Sequence, residues 1–295
     1  MKEECIVLKE ITESDIKDIC DLDLKAFKRN MPRSEHNIKA LLWNNPRGNV
    51  IAYLNGIPVG FGFSHIMGSR AYIGPFAVLE QFRKKGIGQL ILRELISKLN
   101  DQKIDVIGLE VLPDNYPALN LYFKNGFIPG SVTYGFSPIY ASKFSLDSCE
   151  RIINGYEVDE KLLNHFCTKM EDNEDGFSLA VDIRWMLKFD PANILFFVTD
   201  NLINGFLAYS TNLSPHVWGY ILHDKKKAEK IYKTLFLTLQ RLHKETELVV
   251  RVNSEAPVAL NILKSFRISK VLIRMIAAED FKISSRNCIF KSWVG

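Results

Sequence analysis

The sequence predicts an α/β (α+β) fold laid down twice in tandem, each copy a mixed sheet with helices on its faces. Three observations lead there. Strand-like and helix-like periodicities alternate along the first half. The same order of elements returns in the second half. A gapless shift of 141 residues lays EAPVALNILKSF (255–266) on DNYPALNLYFKN (114–125), and a repeat decides architecture before any local motif does. The boundary falls in FSLDSCER, giving domains 1–145 and 146–295.

The elements follow in order. CIVLKEI is a short strand, and TESDIKDICDLDLKAF is a helix capped by Thr12 or Ser14, with Ile16, Ile19, Cys20 and Phe27 as its apolar stripe. Ser34 caps a second helix through NIKALLW. NVIAYLNGIPVGFGFSHI reads as two strands about Asn55-Gly56, the strongest short hairpin signal. AYIGPFAVL is a strand interrupted by Gly74-Pro75, and proline belongs at bulges or edges because it donates no ladder bond. QLILRELISKL is a helix with Leu90, Ile91, Leu95 and Leu99 on one side. DVIGLEVL is a strand, PALNLYFKNG a helix closed by Gly126, and GFIPGSVTYGF a last strand. The second half gives helices in YEVDEKLLNHFCTKM and SLAVDIRWMLKF, then strands in ANILFFVTD, GFLAYSTNL and VWGYILH. The helix KAEKIYKTLFLTLQRL, the strand ELVVRV, the helix APVALNILKSF and the strand KVLIRMIA complete it.

A chain of 295 residues, 47% hydrophobic, is long enough for two cores of ordinary domain size. Lysine and arginine number 18 against 15 acidic residues up to residue 145 and 20 against 19 beyond it, so neither half has the basic excess of a nucleic-acid binder. Cys5, Cys20, Cys149, Cys167 and Cys288 lie far apart and form no CxxC, which points to free thiols in a reducing compartment and to no metal site. MKEECIVLKEITESD is too charged for a signal peptide, and no apolar run approaches the roughly 20 residues of a membrane span. The expectation is a cytoplasmic protein that touches neither nucleic acid nor membrane.

The chemistry begins at FRKKGIGQ (82–89), which follows a strand and opens a helix. Its glycines let backbone N–H groups approach an anion, and the first N–H groups of a helix have no partners within it. A solvated basic turn would read the same way locally. A Walker loop requires GxxxxGK[ST], which is absent, and a dinucleotide fingerprint requires a third glycine, which is missing after Gly88.

Arg83-Lys84-Lys85-Gly86-Ile87-Gly88 resembles the [RQ]xxGx[GA] signature of the GCN5-related N-acetyltransferase (GNAT) family. NYPALNLYFKNGF is similar to that family's NxxAxxLYxKxGF at Asn115, Ala118, Leu121, Tyr122, Lys124, Gly126 and Phe127. The resemblance covers roughly residues 5–140. It implies tandem GNAT-like domains, each a mixed, mostly antiparallel twisted sheet flanked by helices, with acetyl-CoA as cosubstrate and no metal. It implies an acetyl group passed from CoA to a primary amine of a small molecule or peptide, by direct attack in a ternary complex. The alternative is a non-catalytic acyl-CoA-binding or sensing protein.

The resemblance also assigns residues. Pyrophosphate would sit on Arg83, Lys84, Lys85, Gly86, Ile87 and Gly88. Pantetheine would lie between splayed fourth and fifth strands, against backbone groups of Phe76, Ala77 and Val78, with Asn115 nearby. Tyr122 would protonate the leaving thiolate. Glu110, a carboxylate in an otherwise apolar strand and twelve residues before Tyr122, would act as base. The acceptor side is expected at Arg33, Glu35, His36, Tyr134 and Tyr140, while His65 reads as a satisfied strand histidine. In the second copy DKKKAE replaces RKKGIG: Gly86 becomes Lys227, Gly88 becomes Glu229 and Tyr122 becomes Leu263. That copy is expected to keep the fold and lack the pyrophosphate loop, so that the chain acts as a monomeric pseudo-dimer or a homodimer.

Overall fold

The computed structural model describes residues 5–137, 150–172, 176–210, 216–222, 225–242, 249–264, 266–277 and 288–289. The chain divides into two compact units. The first comprises Met1–Pro129 and a segment beginning at Met275; the second comprises Gly130–Arg274 and Lys282–Trp293.

The first unit runs β1 (Ile6–Glu10), α1 (Ile16–Ala26), α2 (Glu35–Asn44), β2 (Val50–Leu54), β3 (Ile57–Met67), β4 (Arg70–Val78), α3 (Ile87–Asp101), β5 (Val106–Val111) and α4 (Tyr116–Lys124). Strands β1 to β4 are antiparallel neighbours in chain order, and β5 joins β4 in parallel. Local chemistry explains the boundaries. Thr12 Oγ1 bonds Asp15 at 2.8 Å ahead of α1, and the Asn37 N–H donates to Ser34 Oγ at the start of α2. Asn55 and Gly56 take φ of 51° and 83°, the positive pair that a two-residue hairpin turn needs. On α3 the buried stripe is Ile87, Ile91, Leu92, Leu95 and Leu99. Leu90 is 41% exposed, because one residue ahead of Ile91 lies about 100° round the helix, outside that stripe.

The second unit repeats the order: β7 (Glu150–Asn154), α5 (Glu160–Glu171), α6 (Ala180–Phe189), β8 (Ile194–Thr199), β9 (Leu202–Ser210), β10 (His216–Ile221), α7 (Lys225–Leu242), β11 (Val249–Asn253), α8 (Pro257–Leu263) and β12 (Ile268–Ala277), the last belonging to this unit as far as Arg274. It adds β13 (Cys288–Ile289), and neither β7 nor β13 stands out in the sequence as a strand. Its sheet also takes in β6 (Ile128–Phe136), the strand expected to close the first copy. From Gly130 onward β6 belongs to the second unit, where Phe136 pairs opposite Val250 and Thr133 opposite Asn253 on β11. On its other edge lies β12, with Ser269 Oγ donating to the Gly135 carbonyl. The core of this unit packs Phe136, Leu207, Val217, Tyr232, Leu235, Val250 and Leu263 together.

Candidate active site

Gly74-Pro75 falls at a break in the β3–β4 ladder. Gly62 faces Phe76 and Ser64 faces Ile73, so β4 carries one residue more than β3 across the interval. That is a β-bulge, and a bulge bends its strand. Accordingly, β4 meets β5 at Arg70, Ala71 and Tyr72, opposite Val106, Ile107 and Gly108, and no strand among the described residues pairs with Phe76–Val78 on that side.

The register then decides which backbone groups face the gap. The Leu79 N–H bonds the Val59 carbonyl at 2.9 Å, so Val78 and Gly60 are a non-hydrogen-bonded pair. Ala77 therefore directs its N–H and C=O at Phe61 on β3. Phe76 and Val78 direct theirs away from β3, into the gap. Arg83 Nε donates to the Val78 carbonyl at 3.0 Å, anchoring the following loop to the end of β4. Of the sequence-derived trio, Phe76 and Val78 thus turn their backbone away from β3, with the Val78 carbonyl bonded to Arg83, and Ala77 turns its own toward β3.

The loop after β4 uses two left-handed residues, Lys84 at φ 65° and Gly86 at φ 80°. Gly86 is the N-cap of α3, and its carbonyl accepts from the Leu90 N–H. The N–H groups of Ile87, Gly88 and Gln89 therefore lead the helix without partners in it, at the positive end of its dipole. Arg83, Lys84, Lys85 and Gly86 are exposed. Ile87 itself is buried in the core, at 1% exposed. A Cβ on Gly88 would come within 3.6 Å of both Leu121 and the Phe76 ring, so this glycine packs the helix start against α4 and β4.

Helix α4 carries Tyr122. Asn115 caps its start, accepting from the Ala118 N–H at 3.4 Å. At its end the Phe127 N–H bonds the Tyr122 carbonyl and the Gly126 N–H bonds the Phe123 carbonyl, a Schellman closure with Gly126 at φ 84°. Arg93 on α3 donates to Asn125, which in turn donates to the Leu121 carbonyl at 2.7 Å. Tyr122 is the one buried residue of α4, its ring 6.5 Å from Phe76 and 6.0 Å from Phe127. Burial pushes its phenol well above the ordinary tyrosine range, so the hydroxyl stays protonated. Glu110 is also buried, at 9% exposed, on β5.

The expected acceptor-side residues fall on different elements. Arg33 is tied by Nε to Asp23 at 3.2 Å, and Asp23, fully buried on α1, also faces Arg29 at 2.9 Å. Burial lowers the affinity of Arg33 for its proton, and the carboxylate beside it opposes that effect. Arg33 therefore serves at least to hold the α1–α2 link. Glu35 is exposed at the start of α2, and His36 is half-buried beside it. Tyr134 lies on β6 in the second unit, packed against that unit's core. Tyr140 lies outside the described residues.

Sequence reasoning passed over a buried amide network. Asn44, Asn45 and Asn49 continue the ladder of β3 where β2 has ended: Ile66 donates to Asn44, Ser64 donates to Asn49 at 3.0 Å, and Asn45 donates to Ser64 Oγ at 2.8 Å. His65 is fully buried beside Asn44, as its strand position suggests. The signal was present in NNPRGN (44–49), a polar run between the second helix and the second strand.

A bulged β4 diverging from a parallel β5, with a glycine-led helix after it, is the arrangement that the resemblance to acetyl-CoA-dependent transferases implies. The Acetyltransferase (GNAT) family matches residues 16–127. An N-alpha-acetyltransferase of Sulfolobus acidocaldarius is 30% identical over 129 residues, 39% of this chain and 76% of that protein. N-alpha-acetyltransferase 30 of Dictyostelium discoideum is 32% identical over 119 residues, and the chain spans 63% of its length. Over the whole chain, a solved structure from Pyrococcus horikoshii shares the fold with a TM-score of 0.75 at 17% identity, covering 96% of this chain and 92% of that one. A tandem GNAT protein from the clavulanic acid biosynthesis pathway shares it with a TM-score of 0.62 at 13% identity, covering 92% and 98%. This chain belongs to the GNAT acetyltransferase family.

Proposed function

We propose that the first unit is an acetyl-CoA-dependent N-acetyltransferase whose acceptor is the α-amine of a peptide or protein N-terminus. The observation that carries the reading is the open edge of β4. Its Val78 end adjoins the Gly86-led helix start, and its Phe76 end adjoins the Tyr122 ring. A pantetheine arm carries amides that match the backbone of Phe76 and the N–H of Val78, and the N–H groups of Ile87 to Gln89 suit its pyrophosphate. The position where a Cβ of Gly86 would stand is open, which leaves room for a phosphate oxygen near the backbone. The N-terminal acceptor is supported by the names of the relatives, all of them at modest identity.

Acetyl-CoA supplies the thioester. The neutral amine attacks its carbonyl carbon, the C–N bond forms and the C–S bond breaks. The departing thiolate takes the Tyr122 proton, which burial has kept on the phenol. The proton lost by the amine passes to Glu110, directly or through water. The second unit has no part in this chemistry, since Lys227 and Glu229 stand where the glycines would be and the Glu229 carboxylate is held by Lys233 at 2.6 Å.

Thiol release from acetyl-CoA over a panel of N-terminal peptides and small amines tests the proposal. Turnover on peptides is the expected result. Turnover on small amines alone would replace the acceptor, and binding of acetyl-CoA without turnover on either class would replace the activity.

A further inference from the structure

The two units treat the same wedge in their sheets differently. In the second unit, β9 pairs with β10 along the whole of His216–Ile221. On the opposite edge β10 meets β11 in parallel at His216 and Val217. Past that point β10 pairs antiparallel with β13, Gly219 opposite Ile289 and Tyr220 opposite Cys288. Because β9 takes one edge entirely, β13 lies on the β11 side, where β10 and β11 have parted. In the first unit β4 is paired with β3 and meets β5 in parallel at Arg70–Tyr72, and among the described residues no strand then pairs with Phe76–Val78 on that side.

The backbone geometry agrees. The Leu222 N–H bonds the Asn204 carbonyl at 3.0 Å, which makes Ile221 and Gly205 a non-hydrogen-bonded pair. Tyr220 therefore directs its N–H and C=O at β9, and Gly219 directs its own at β13. By its place in the ladder, two residues before Ile221 as Phe76 stands two before Val78, Gly219 is the counterpart of Phe76, whose backbone faces the open gap of the first unit.

We infer that β13 is a resident occupant of the second unit's wedge: a peptide strand of this chain, held through the Gly219 backbone, filling the slot that the first unit leaves open for an amide-bearing ligand. The slot is thus a strand-addition site for an extended peptide. A pantetheine arm shares that amide chemistry, yet its phosphates would meet the Glu229 carboxylate instead of a glycine-led helix start. The strand is therefore the better-matched occupant.

Hydrogen exchange on the full-length chain gives the first test. Ile289→Pro removes the N–H that donates to the Gly219 carbonyl, and its ring unseats β13 from that edge, so the Gly219 amide loses its acceptor while the β9–β10 ladder is untouched. The Gly219 amide should exchange at least tenfold faster in the variant, while the Tyr220 amide, bonded to β9, stays protected. Equal protection of Gly219 in both chains overturns the inference. So does loss of protection along the whole of β10, which would make β13 a general support of the strand.

The second test adds a fluorescent peptide of residues 284–293 to the full-length chain and to a chain ending at residue 283. Saturable binding to the shortened chain alone is expected, and no binding to it overturns the inference. Calorimetry with CoA separates the two amide ligands: one CoA per shortened chain is expected, and two would make the slot a covered CoA site. That arm rests on the function proposed for the first unit. Failure of that proposal appears as no CoA bound to either chain, and it leaves the exchange and peptide readouts untouched.

Discussion

The rings of Phe76 and Tyr122 lie 6.5 Å apart, tilted by 48°, and join the free end of β4 to the one buried side chain of α4. The contact packs the Tyr122 ring against β4, so the hydroxyl can be removed while the packing is kept. Tyr122→Phe should lower kcat by about 10²–10⁴-fold, the usual range for a lost general acid. Its affinity for CoA should match wild type, as measured by calorimetry. A wild-type rate would remove Tyr122 from the mechanism.

Tyr122 should also mark the alkaline stability of the protein. Burial holds its proton to a higher pH in the folded state than in the unfolded chain, where the phenol titrates at about 10. The folded state therefore binds more protons above that pH. The associated stability is complete below about pH 10 and is lost as pH rises beyond it. Urea midpoints at pH 9 and pH 11 should fall more steeply for wild type than for Tyr122→Phe, which has no phenol to ionise.

The two glycines of the loop should behave differently. Gly86 sits at φ 80° with open space where a Cβ would stand, so Gly86→Ala costs about 1–2 kcal/mol through backbone conformation alone. Gly86→Glu, which places an anion at the helix start, should abolish CoA binding. In Gly88→Ala the new methyl meets Leu121 and Phe76 at ordinary contact distance, so stability should change by less than about 1 kcal/mol. Thermal melts with and without CoA separate these effects.

Asp23 is fully buried between Arg29 and Arg33. Asp23→Ala would leave guanidinium charge in the interior without its carboxylate, at a cost of about 3–5 kcal/mol. A shift of the urea midpoint below half its wild-type value, or failure to accumulate folded protein, is the expected outcome.

A Cβ on Gly48 would overlap Asn45 and Ser64 Oγ, inside the amide network that extends β3. Gly48→Ala should destabilise by about 1–3 kcal/mol, as overpacking of a filled interior does. A melting temperature within one degree of wild type would show that the network has slack.

Much of the site was legible because its signals are local. The Asn55-Gly56 turn, the Ser34 cap, the Gly126 closure and the bulge at Gly74-Pro75 each follow from what one or two residues can do with their own dihedrals and donors. The difference between Ala77 and its neighbours was not legible. It depends on whether a residue falls in a hydrogen-bonded or a non-hydrogen-bonded pair, which only the register with β3 settles. Arg33 and Asp23 are ten residues apart in an unremarkable charged stretch, and their pairing exists only once α1 and its following link have folded back.

By itself the sequence determined the duplication, the order of strands and helices in each copy apart from β7 and β13, the glycine-led helix start, and the residues Lys227 and Glu229 at the offset positions of those glycines. All of these are carried by residue type and spacing along the chain. Tertiary structure alone decided that β6 from Gly130 onward serves the second unit, and that Cys288 and Ile289 pair with Tyr220 and Gly219. The reason is physical: a strand recruits its partner through backbone N–H and C=O groups that every residue but proline shares, so side chains indicate which face is buried and leave the neighbour unnamed.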